Sequence, residues 1–216
     1  MNYKKLGGIL GKIMILEGVL MLLPLLVALI YRESLTNIFS YVIPIASLAI
    51  IGALLQIPKP KREELYQKEA FALVAAVWIV MSVFGALPFV INKDIPNYID
   101  AFFEITSGFT TTGASILNDV EALSHSSLFW RSFSHWIGGM GVLVFVMAII
   151  PSLSDRSIPI LRAEVPGPIV GKIVPRIKKT TGILYIIYIA LTAIEIVFLL
   201  AGGMPFFDSL VHAFGT

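Results

Sequence analysis

The 216-residue chain has no cysteine, which excludes disulfides, thiolate metal sites and cysteine nucleophiles together. It is also poor in charge: Asp, Glu, Lys and Arg make up 14% of it, where a soluble domain carries about a quarter. Its formal net charge of +2 is too small to argue for a nucleic-acid partner. What it has in excess is apolar residues, 57% of the chain, gathered into long blocks that belong in lipid.

A bilayer core needs about 20 mostly apolar residues per helix. Five blocks meet that length: Leu6–Tyr31, Asn37–Ile57, Ala70–Ile91, Leu128–Ile150 and Thr181–Gly203. The first follows Lys4 and Lys5 as a signal peptide would. Its apolar stretch is too long for one, contains Glu17, and is followed by no small-residue cleavage site, so it reads as a retained helix. With the N-terminus in the cytoplasm, twelve basic residues fall inside: Lys4, Lys5, Lys59, Lys61, Arg62, Lys68, Arg156, Arg162, Lys172, Arg176, Lys178 and Lys179. Only Arg32, Lys93 and Arg131 fall outside, a strong positive-inside asymmetry. The outer side holds Glu33, Asp94, Asp100, Glu104, Asp119, Glu121 and Asp208, which together would concentrate cations at a mouth and singly would only solvate loops.

One segment does not fit a simple bundle. Between the third and fourth blocks, Tyr98–Phe109 follows a Pro96-Asn97 break and carries Ile99, Phe102, Phe103, Ile105 and Phe109 at helical spacing. About 11 helical residues reach about 16 Å, half a membrane. Thr110-Thr111-Thr112-Gly113-Ala114-Ser115 follows at once, and stiff threonines with a permissive glycine make a poor continuation of a helix. Irregular backbone at membrane depth is tolerated only inside protein or against a water-filled cavity. A half-helix entering from outside points its negative end at the midplane. Extended carbonyls beyond it could replace a cation's hydration shell, with threonine hydroxyls adding ligands or pinning the loop from behind. Taken alone, Thr-Thr-Thr-Gly is more often an ordinary loop; the half-helix before it, its outer location and a repeat later in the chain reverse that preference.

The half-helix has an echo 108 positions later, where Phe207-Asp-Ser-Leu-Val aligns Asp208 with Asp100, Leu210 with Phe102 and Val211 with Phe103. Pro96 precedes one copy and Pro205 the other. Repeated units commonly form a transport site at their interface. The chain stops where a second filter would begin, so the expectation is one wall of an incomplete pore.

Three runs carry a family resemblance. Phe103-Glu-Ile-Thr-Ser-Gly-Phe-Thr-Thr-Thr-Gly-Ala-Ser115 resembles the first filter loop of the Trk-type (TrkH-like) potassium uptake proteins of the Trk/Ktr/HKT superfamily. Trp130–Gly141 resembles the start of the pore-lining helix that follows it, and Arg162–Pro168 with Lys172 and Pro175–Ile177 is similar to the cytoplasmic loop before the second repeat. The resemblance implies an all-α membrane protein of helix–re-entrant pore loop–helix repeats, potassium-channel-like, in a prokaryotic cell membrane. It implies four such repeats around one pore, paired subunits (a homodimer) and a cytosolic nucleotide-binding regulatory subunit, TrkA-like. It also places the filter at Thr110, Thr111, Thr112 and Gly113, with potassium at Thr111 and Thr112. The organisation expected is two leading helices over 1–57, a basic loop over 58–69, a first repeat over 70–150 with its filter at 110–113, a cytoplasmic loop over 151–180, and the start of a second repeat over 181–216.

Other residues read two ways. Gly138, Gly139 and Gly141 allow close approach, either to the short pore helix or in generic helix packing. Arg131 and His135, four apart, either anchor the filter surroundings or are a snorkelling arginine and a structural histidine; the second is the favoured expectation. Glu17 and Glu195 are expected in buried interhelical hydrogen bonds. Asp100 and Glu104 either attract cations at the mouth, or cap the pore helix (Asp100) and form a buried hydrogen bond (Glu104). Two other functions compete with a pore. One is an intramembrane serine hydrolase using Ser107 or Ser115 with His125 or His135; the other is a structural membrane-anchoring subunit.

Overall fold

A computed structural model of the chain describes residues 2–58, 67–141 and 177–216. The described residues are helical, with no strand among them. In chain order the helices are α1 Tyr3–Leu20, α2 Leu22–Ile30, α3 Leu35–Gln56, α4 Gln67–Gly85, α5 Leu87–Ile91, α6 Tyr98–Phe109, α7 His125–Gly139, α8 Ile177–Ala201 and α9 Phe206–Gly215.

Four stretches among the described residues are long and apolar enough to cross a membrane: Tyr3–Ile30, Leu35–Gln56, Phe71–Ile91 and Gly182–Ala201. Prolines lie in three of them and end a helix in two; Pro44 sits inside α3 without ending it. A proline ring clashes with the carbonyl four residues back. Pro24 therefore acts on Leu20, the last residue of α1, and Pro88 acts on Phe84, beside the end of α4. Large apolar side chains such as Ile30, Phe39, Ile79 and Phe198 are exposed on the outside of the bundle, as lipid contact requires.

Small residues bring α1 against α3. A Cβ on Gly52 would sit 2.7 Å from the Gly11 carbonyl and 2.9 Å from Ile15 Cγ1, so no larger side chain fits without separating the helices. The Asn2 amide donates to Glu69 at 2.5 Å, putting the N-terminus and the start of α4 on one side. The α2–α3 turn, the α5–α6 turn and the start of α7 gather at the opposite side. There the Asp94 carboxylate accepts from the Ser124 hydroxyl (2.6 Å) and amide (3.3 Å). Glu33 accepts from the Ser126 amide (3.0 Å) and hydroxyl (2.6 Å). Ser124 makes no side-chain cap of its own. Two carboxylates from distant turns thus satisfy the amides at the positive end of α7.

The fourth expected span, Leu128–Ile150, differs from the expectation. Its helix α7 ends at Gly139, and Gly141 takes φ +68°, which a continuous α-helix does not allow. The rest of that span, the basic loop residues Lys59, Lys61 and Arg62, and the loop with Arg162–Pro168 and Lys172 lie outside the described residues. Glu17 and Glu195 do not make the expected interhelical bonds. Among the described residues, Glu17 is 1% exposed with neither oxygen paired, and Glu195 lies half-exposed on α8 with no hydrogen bond.

Candidate functional site: a half-helix and its loop

Because Asp94 and Ser124 bond to each other, the chain between them enters the molecule and returns to the same side. Its entering arm is α6. The side chain of Asn97 caps it by accepting from the Ile99 amide at 2.9 Å, so the cap falls to Asn97 and not to Asp100. Asp100 sits half-buried in the first turn without a hydrogen bond among the described residues. Twelve residues carry α6 about 18 Å inward, short of the ~30 Å core.

Where α6 ends, the backbone closes a Schellman motif: the Thr112 amide donates to Ser107 O and the Thr111 amide to Gly108 O, both at 2.9 Å. That motif needs a left-handed residue, normally glycine, and here Thr111 supplies it at φ +53°. Gly113 follows at φ +73° with open space around its Cα, so its lack of a side chain serves backbone conformation. The hydroxyls form a chain. Thr110 Oγ1 donates to Thr106 O at 2.8 Å, which leaves Thr112 to donate to Thr110 Oγ1, also at 2.8 Å. They pin the loop, as one of the two expected uses of threonine required.

No donor among the described residues reaches the carbonyls of Thr110, Thr111, Thr112 or Gly113, and all four residues are exposed. Four carbonyls without a donor among the described residues, at the negative end of a helix, are open to a cation, to water or to a donor from beyond them.

The returning limb is held by Glu104, which the sequence left open between the mouth and a buried hydrogen bond. The structure has the second: it lies behind the loop, 1% exposed. Its carboxylate accepts from Ser115 Oγ (2.9 and 3.1 Å), the Ile116 amide (3.0 Å) and Arg131 Nε (2.6 Å). Arg131 therefore does not snorkel: its partner is a buried carboxylate. His135 Nδ1 lies 3.0 Å from the Arg131 carbonyl, a structural contact within α7.

Close approach of α6 to α7 is built from small residues. A Cβ on Gly138 would overlap the Phe109 carbonyl, and one on Gly108 would overlap Ser134 Oγ. Gly139 instead faces α8, where its Cβ would meet the Tyr188 hydroxyl at 2.6 Å. Gly141 is placed by its positive φ. Gly85 was not singled out by the sequence; it packs on Ile105 and Phe109, and its carbonyl accepts from Trp130 Nε1 at 2.9 Å.

No serine–histidine pair assembles among the described residues. Ser107 Oγ is buried without a partner, Ser115 donates to Glu104, and His125 stacks on Tyr31 with ring centroids 4.1 Å apart.

This fold and loop define a class: membrane proteins with a re-entrant half-helix ending in an unpaired carbonyl turn. A family model described as a cation transport protein, TrkH, matches residues 37–214, and the chain belongs to that family. It is 40% identical to the Trk system potassium uptake protein TrkH of Salmonella typhimurium, over 100% of this chain and 45% of the relative. It is 34% identical to the Trk system potassium uptake protein TrkG of Escherichia coli, over 95% of this chain and 43% of that protein. Its fold matches the crystal structure of the potassium transporter TrkH from Vibrio parahaemolyticus with a TM-score of 0.78 at 33% identity, covering 99% of this chain and 42% of the other. The chain thus spans less than half the length of these relatives.

Proposed function

We propose that Thr110–Gly113 is one wall of a monovalent-cation filter, and that the protein carrying it takes up potassium as part of a Trk-type system. The observation that carries this reading is the run of four exposed residues at the inner end of α6 whose carbonyls have no donor among the described residues. Thr111 and Thr112 are the positions at which the dehydrated ion sits, with further walls of the same kind completing the pore. Potassium as the cargo is supported by the names of the relatives, potassium uptake proteins. The asymmetry of basic residues supports a cytoplasmic N-terminus in a prokaryotic cell membrane. A homodimer with a cytosolic, nucleotide-binding, TrkA-like regulator completes the proposal by family resemblance.

The test is rubidium or thallium flux into liposomes containing the gene product that carries this chain. Gly113→Asp places a side chain on a left-handed residue and a carboxylate among the carbonyls. It is expected to reduce flux at least about tenfold, the equivalent of 1.4 kcal/mol. Flux that survives the substitution intact would sink the filter reading.

A further inference from the structure

The loop is fastened to α6 at both ends. On the descending side, the Thr112 amide is bonded back to Ser107 O. On the ascending side, Ser115 Oγ and the Ile116 amide are bonded back to Glu104. Only Gly113 and Ala114 lie between these fastenings. The backbone of the loop therefore has the freedom of two residues, one a glycine, and the reach of the Glu104 side chain sets where they run.

We propose that Glu104 and Arg131 form a positioning pair that holds the ascending limb and thereby sharpens discrimination among cations at Thr110–Gly113; this rests on the reading of that loop as a filter wall. Three features separate this role from the alternatives. A carboxylate that is 1% exposed and filled by three donor groups is not available to draw ions to a mouth. An ion pair serving packing alone has no need of main chain, whereas Glu104 Oε2 takes the Ile116 amide of the loop itself. Arg131 touches no loop atom among its hydrogen bonds; it meets Glu104 from α7, neutralises the buried charge and leaves the carboxylate's remaining lone pairs for the loop. The Ser115 hydroxyl extends the hold by one residue, accepting from the Leu117 amide at 3.1 Å while donating to Glu104.

The test uses the full gene product in liposomes and reads rubidium uptake against sodium uptake in the same vesicles. Glu104→Gln keeps an acceptor of the same size but loses the charge that holds Arg131. Ser115→Ala removes one exposed hydroxyl and leaves the pair intact. The expected result is retained rubidium uptake with a rubidium-over-sodium preference lowered about tenfold in Glu104→Gln, and lowered less in Ser115→Ala. The double variant should fall short of the product of the two effects, because both act on one network. Wild-type preference in both single variants, with Gly113→Asp still blocking flux, overturns the positioning role and leaves the filter standing. Flux indifferent to Gly113→Asp removes the filter reading and this inference with it. Should Glu104→Gln not fold, Ser115→Ala decides: an unchanged ratio overturns the proposal, and a lowered one supports it.

Discussion

The two half-helices, α6 and α9, share a frame and differ in how they are held. They begin 108 residues apart, at Tyr98 and Phe206, and bury corresponding positions: Ala101 with Ser209, and Ile105 with Ala213. Both pack on α7. The contact of α6 adds a charged device, Glu104 with Arg131, which reaches into the loop beyond. The contact of α9 is aromatic: Phe214 lies 5.3 to 5.7 Å from the rings of Phe133, Trp136 and Phe129. At the position matching Glu104, α9 carries an exposed histidine, His212. The repeat shares a packing surface, and at the position from which Glu104 fastens its loop α9 carries His212.

The largest effect should come from breaking the charged side. Glu104→Ala strands the Arg131 guanidinium, whose side chain is 15% exposed, without its carboxylate, which costs about 3 kcal/mol, the lower end for a broken buried pair because Arg131 retains some exposure. His212→Ala at the matching position should cost under about 0.5 kcal/mol, as exposed substitutions do. Thermal unfolding of the detergent-solubilised gene product measures both. Equal effects would mean that the two half-helices are held alike.

Next comes the aromatic side. Phe214→Ala removes three ring contacts of about 0.5–1.5 kcal/mol each and leaves a partly filled gap, so about 2 kcal/mol of stability should be lost in the same assay. The rubidium-over-sodium preference should stay near wild type, because nothing at Phe214 touches the Thr110–Gly113 loop. A collapse of preference in this variant would show that α7 transmits strain from one half-helix to the other.

Much of this arrangement was legible in the sequence where the signal is local. The apolar blocks marked the spans, the proline break and helical spacing marked α6 to its end at Phe109, and the 108-residue echo marked α9. Contacts made across long separations were not legible. Glu33 lies 93 residues from the Ser126 it bonds, Asp94 lies 30 from Ser124, and Glu104 lies 27 from Arg131. A carboxylate in a turn reads as solvated until the fold brings a helix end to it. This is why seven outer acids looked like one vestibule when four of them, Glu33, Asp94, Glu104 and Asp119, are occupied by hydrogen bonds. The end of α7 was hidden for a different reason: hydrophobicity runs on through Gly138–Gly141, and only the backbone at Gly141 reveals the break.

The smallest effect tests a second contrast between the two regions. The turn after α8, which leads into α9, closes the same Schellman motif as the turn after α6. The Gly203 amide donates to Leu200 O at 3.0 Å and the Met204 amide to Leu199 O at 3.1 Å. Glycine occupies the left-handed position there, at φ +89°, where the filter loop has Thr111. The other left-handed non-glycine residues, Arg32 and Lys93, are unbranched at Cβ, so Thr111 is the most strained among the described residues. A left-handed residue with a side chain costs about 1–2 kcal/mol. Glycine would recover that strain but enlarge the freedom of the unfolded chain. Thr111→Gly should therefore stabilise the protein by about 1 kcal/mol or slightly less. If the strain serves to hold the carbonyls of the loop in one orientation, the same substitution lowers the rubidium-over-sodium preference while the melting temperature rises. A variant that gains stability and keeps its preference would reduce Thr111 to an imperfect helix cap, and the filter's order would then rest on Glu104 alone.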